Sequence, residues 1–122
     1  MNTIELLKSY GATVKTDEAS RVAAYFYHID LNDAQILGIS YRNDIDMIVF
    51  YCSSISDRDL GKFRAMTTLR KLGLNSCKNI TDESVEILAE LSGLRFVSLI
   101  DTAMTTQGKK RLKKLAPDLE SN

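Results

Sequence analysis

Apolar residues recur along this chain in two alternating rhythms. Leu60, Phe63 and Met66 stand three apart, as do Val85, Leu88 and Leu91, which is the spacing of one helix face. Leu72 and Leu74, like Val97 and Leu99, stand two apart, as along a strand with one buried side. Each helical stretch precedes a strand-like one, so the pattern predicts helix then strand, several times over.

The alternation has a period. Taking Leu31, Ile55, Ile80 and Met104 as starts gives steps of 24 or 25 residues, and the columns behind them agree in chemical type. Ile36, Leu60 and Val85 form one column, Ile45, Leu69 and Leu94 another, and Phe50, Leu74 and Leu99 a third; Arg42 is a misfit beside Met66, Leu91 and Leu115. Ser53, Cys77 and Thr102 close the units with a small or polar group. Asp33, Asp57 and Asp82 stand where each helix should begin, and a carboxylate there is expected to accept the free N–H groups of its own first turn.

The stretch LRKLGLNSCKNITDESVEILAEL, residues 69 to 91, resembles the cysteine-containing type of leucine-rich repeat, with an LxxLxLxxC core followed by an ITD helix start. The resemblance extends from Leu31 to about Leu119, with Ser53 and Thr102 in the cysteine column and Ile48 or Val97 in place of leucine. This repeat type occurs in ribonuclease-inhibitor-like superhelices, in F-box adaptors and in the coupling factor B family of mitochondrial ATP synthase, to which ISDRDL and CKNITDESVEIL are similar. It implies an α/β fold, a short right-handed leucine-rich-repeat solenoid with a parallel sheet on its concave face and helices on its convex face.

Such an array needs distinct ends, because one repeat cannot bury its own face. A single domain spanning 1–122 is expected, with an N-terminal cap at 1–30, three repeats at 31–103 and a C-terminal cap at 104–122. The first cap reads as a helix from Asn2 to Tyr10, a stop at Gly11, and a hairpin turning at Asp17 to Ser20, with Val22, Ala24 and Phe26 facing inward. The last reads as a helix from Gln107 to Leu115 with Leu112 and Leu115 toward the core, stopped by Pro117. Four strands would make the parallel sheet.

Once Leu72 and Leu74 point inward, alternation assigns the outward residues. Tyr25, Tyr27, Met47, Val49, Tyr51, Lys71, Asn75, Phe96, Ser98 and Ile100 form the candidate partner-binding set. Half-exposed, the four aromatic rings would present roughly 300 to 500 Å2, close to the largest apolar patch usual on a monomer. The expected partner is another protein or a second copy of this chain, and the function a protein–protein interaction module acting as adaptor, inhibitor or assembly factor. The plainer readings are that these aromatics only cover one another, or that a one-residue slip of register puts them in the core.

The alternative is an anionic surface or nucleic acid bound by Lys109, Lys110, Arg111, Lys113 and Lys114, crowded onto one helix. Charge bears on that choice: 16 basic and 16 acidic residues cancel, leaving no net field to draw the molecule to nucleic acid. Cations late in a helix also suit its dipole.

No catalytic residue, cofactor or metal is expected. His28 is the only histidine, and neither Cys52 nor Cys77 falls near it in the repeat columns as set out above. There is no glycine-rich phosphate loop and no CxxC pair, and Cys77 reads as a small packing group. With no signal-like start and no run of about 18 apolar residues, a soluble cytoplasmic protein without a transmembrane segment is the expectation.

Overall fold

Helices begin in this chain where a polar side chain can take up an orphan N–H. In the computed structural model, which describes residues 1–122, α1 (Thr3–Ser9) starts after Asn2, whose side chain accepts the Glu5 N–H at 2.8 Å. β1 (Thr13–Thr16) and β2 (Val22–Tyr27) follow as a hairpin, turned by Asp17, which accepts the backbone N–H groups of Ala19 and Arg21. α2 (Asp33–Ser40) opens on a capping box between Asn32 and Gln35 and leads to β3 (Ile45–Tyr51). Then come α3 (Asp57–Gly61) with a 3-10 turn at Lys62–Ala65, β4 (Lys71–Asn75), α4 (Ser84–Glu90), β5 (Phe96–Ser98), α5 (Thr106–Leu115) and β6 (Glu120–Ser121).

The fold is α/β. Six strands form one open sheet in chain order, antiparallel between β1 and β2 and parallel from β2 onward. Ala23 lies opposite Met47, Met47 opposite Lys71, Lys71 opposite Phe96 and Phe96 opposite Glu120, so successive strands pair at steps of 24 or 25 residues. Each intervening segment crosses back over the same face of the sheet. Alternate strand residues therefore meet helix residues on that side: Phe26, Phe50, Leu74 and Leu99 join Ile36, Leu60, Val85 and Leu112 in one buried cluster of 27 residues. The Phe26 and Phe50 rings stack within it, their centroids 5.2 Å apart.

Several expectations need correction. The sheet has six strands, not four, because β1 pairs along the front edge and the last residues return as β6 against β5. The helices are short, so Met66 and Leu91 lie beyond their ends, although both stay buried. Leu115 is half-exposed rather than in the core. α5 ends there, and Leu119, past the Pro117 turn, fills the core position instead. Arg42 also follows its helix, and its guanidinium reaches out to the Met1 carbonyl.

The aspartates at the helix starts do not cap their own helices. Asn32, Ser56 and Thr105 precede α2, α3 and α5 as caps, and the Thr81 hydroxyl accepts the Glu83 N–H ahead of α4. Asp57 reaches forward to the next unit, accepting the Thr81 N–H at 2.9 Å and the Thr81 hydroxyl at 2.6 Å, with the Ser84 hydroxyl as a third donor. Asp33 turns toward Arg58 and Lys62. No helix is long and apolar enough to cross a membrane.

Candidate functional site

Helices cover one face of the sheet and leave the other open, and alternation decides which side chains stand on it. Tyr25, Met47, Val49, Tyr51, Lys71, Asn75, Phe96, Ser98 and Ile100 line a single groove of about 550 Å3, completed by Leu72, Gly73, Glu120 and Asn122. The register is the one alternation gives: Tyr25 pairs with Val49, Val49 with Gly73 and Gly73 with Ser98. Tyr27 stands beside the groove, half-exposed, and Ile100 is similarly exposed at its far end.

Two members of the set contribute less surface than expected. Val49 and Ser98 point to the open face yet are only 8% and 7% exposed. Gly73 explains the first. A Cβ there would stand 2.7 Å from Val49 Cγ1, so the valine leans into space that only glycine leaves free and becomes part of the groove floor. Ser98 is covered because its hydroxyl donates to Asn75 Oδ1, joining β5 to β4 across the floor.

The aromatics partly cover one another. Tyr27 stacks on Tyr51 with centroids 5.0 Å apart and planes 7° apart, and on Tyr25 at 6.2 Å. The Lys15 ammonium lies 5.2 Å from the Tyr25 ring centroid. Mutual stacking thus fixes the tyrosine rings without burying them: Tyr25 and Tyr51 remain partly exposed, as does Phe96, which stacks on none of them. Rings already fixed lose little freedom when something docks on them.

A second depression, of about 640 Å3, opens at the N-terminal ends of β2, β3 and β4. It is polar, and its lining includes Lys15, Asp17, Arg21, Asp46, Arg70 and Lys71. Of these, only Lys71 belongs to the outward set read from the sequence. Lys15, Asp17 and Arg21 sit on the hairpin, Arg70 in the turn entering β4 and Asp46 at the start of β3, where the strand period gives little signal.

The basic helix is less free than its sequence suggests. Arg111 is held by Glu86 of α4, and Lys113 donates to the Pro117 carbonyl at 2.9 Å. Lys109 is half-buried, which leaves Lys110 and Lys114 as its exposed cations with neither an ion pair nor a hydrogen-bond partner.

His28 requires a further correction, because Cys52 does lie beside it. The His28 N–H donates to Tyr51 O, the Cys52 N–H to Asn75 O and the Ser76 N–H to Ile100 O, each at 2.9 Å. These residues form a column at the strand ends, and all of them, with Asp101, have positive φ between 53° and 59°. The left-handed turn carries each chain off its strand toward the next helix. Ser76 also donates to Asp101 at 2.9 Å, and Lys78 pairs with the same carboxylate. Cys77, one residue on, is buried, and burial pushes its thiol pKa up, consistent with a packing group rather than an ionised one.

Compared with models of known protein families, the chain matches none, and no curated protein matches it.

Proposed function

We propose that this chain is a short leucine-rich-repeat solenoid and that it works as an adaptor-like recognition module, holding another protein against the open, concave face of its sheet. One observation carries this reading. Eight residues from four separate strands, including Tyr25, Tyr51, Phe96 and Met47, and Ile100 just past β5 converge on a single groove rather than scattering over the surface. The strand step of 24 or 25 residues supports the repeat assignment. The mechanism is burial of pre-stacked tyrosines and Phe96 as anchors, while Lys71 and Asn75 orient the partner from the polar edge. Binding of an anionic surface by α5 has less support, since Glu86 and Pro117 already engage two of its five cations. The reading places the chain in the cytoplasm, where an exposed thiol such as Cys52 stays reduced.

The test is Tyr51→Ala combined with Phe96→Ala. Light scattering of the purified chain asks first whether a second copy occupies the face. Affinity capture from native extract then compares wild type with the double variant. Loss of association with an unchanged thermal melt is expected, and association that survives both substitutions would overturn the assignment.

A further inference from the structure

The open face is not uniform along its strands. Tyr25, Tyr27, Val49, Tyr51 and Ile100 occupy its middle and C-terminal part and Met47 and Phe96 flank Lys71, whereas the cleft at the N-terminal ends sets Lys15, Arg21, Arg70 and Lys71 against only Asp17 and Asp46. Asp17 is already engaged by Arg21, at 2.7 Å. Lys15, Arg70 and Lys71 enter no ion pair. Arg70 Nη1 donates instead to the carbonyls of Thr67 and Gly93, which holds the guanidinium against the cleft wall. Met47 and Lys71 border both the cleft and the groove, so the two depressions are continuous.

We propose that the cleft receives the acidic end of an extended peptide segment from a partner protein, whose apolar residues lie in the adjoining groove. The proposal rests on the concave-face reading above and adds the partner's charge. Three cations without a carboxylate partner form a positive rim, and an anionic segment would be steered to it and held in one orientation. The reach is suitable, since Lys71 and Asn75 lie four strand steps apart, about 13 Å, a span that five extended residues cover. A peptide fits better than a nucleic acid. The tyrosines are stacked on each other, leaving no gap for a base between them, and the 16 basic and 16 acidic residues cancel, so no net field draws a long polyanion to the chain.

The probe is a phage-displayed library of random dodecapeptides, selected on the wild-type chain at low salt. Enriched peptides should carry an Asp or Glu cluster next to apolar residues. A synthetic copy of one should bind Lys15→Gln/Arg70→Gln/Lys71→Gln on the order of tenfold more weakly, with a flatter salt dependence. Neutral or basic enriched peptides, or acidic ones that bind the triple variant equally, would overturn the charge assignment while leaving the concave face as a binding site. Enriched peptides that still bind Tyr51→Ala/Phe96→Ala, or no enrichment at all, would overturn both. Displacement of the peptide by a single-stranded homopolymer RNA at low micromolar concentration would likewise overturn the peptide assignment.

Discussion

Asp82 accepts both the backbone N–H and the hydroxyl of Thr105, at 2.7 and 2.6 Å, across 23 residues of chain. Thr105 in turn caps α5 through Gly108 N–H at 3.0 Å, so one carboxylate holds the cap of the following helix in place. Gly108 permits the approach, because a Cβ there would stand 2.2 Å from Asp82 Oδ1. Asp57 and Thr81 are related in the same way one unit earlier. Asp57→Ala should therefore cost about 1 to 3 kcal/mol, since it leaves the Thr81 N–H without its acceptor. Urea denaturation measures this, and a loss below a few tenths of a kcal/mol would contradict the staple.

Acid should loosen these joints. The Thr105 hydroxyl, with its N–H, holds the Asp82 carboxyl below the ordinary value of 3.8, and Lys78 with Ser76 does the same for Asp101. Folding thus depresses both pKa values, so the stability they contribute is complete above about pH 4 and is lost as pH falls through the lowered values. The urea midpoint should drop below pH 4. The drop should be smaller in Asp82→Asn and Asp101→Asn.

The left-handed column allows a test in which more side chain harms and less helps. Cys52 is exposed with φ of 53°, a conformation costing an ordinary residue about 1 to 2 kcal/mol. Cys52→Gly should leave stability unchanged or raise it by up to about 1 kcal/mol, the relief being partly offset by the greater freedom of glycine in the unfolded chain. Cys52→Val should lower it by about 1 to 3 kcal/mol.

Gly73→Ala probes the groove floor. The new methyl must displace Val49, so a loss of about 1 to 3 kcal/mol is expected, together with weaker retention of any partner on the open face. Calorimetry on the free chain and capture by the variant report the two effects separately.

Leu74→Ala addresses the opposite face of the same strand. Leu74 is fully buried between β3, β5 and the helices, and its truncation should cost about 2 to 5 kcal/mol. That is a large share of the stability of a domain this size.

The strand faces were legible in the sequence because the two-residue period is insensitive to what lies beyond the sheet: Phe50, Leu72, Leu74 and Val97 turn inward and Tyr25, Tyr51 and Phe96 outward, as alternation requires. The aspartate column was misread because a carboxylate before a helix has the same spacing whether it bonds its own turn or Thr81, 24 residues away. Leu115 was misplaced although the end of its helix was read correctly: a three-residue helical step counts it with Leu112, and nothing in that step shows that Leu119, past the Pro117 turn, returns to the core instead. His28, Cys52, Ser76 and Asp101 share no chemistry, only a backbone conformation, so residue type could not align them. The cationic cleft went unseen for a related reason: Lys15 and Arg21 come from the hairpin and Arg70 from the turn before β4, about 50 residues away, and they meet only when the sheet forms.

β1 runs against β2, whereas every later pairing is parallel. A parallel unit arriving at that side would meet a backbone running the wrong way, along a short strand that carries Lys15. The sheet therefore has a direction: the hairpin shuts the β1 side to further parallel helix–strand units, whereas β6, parallel to β5, leaves the opposite edge in the orientation that such a unit would need.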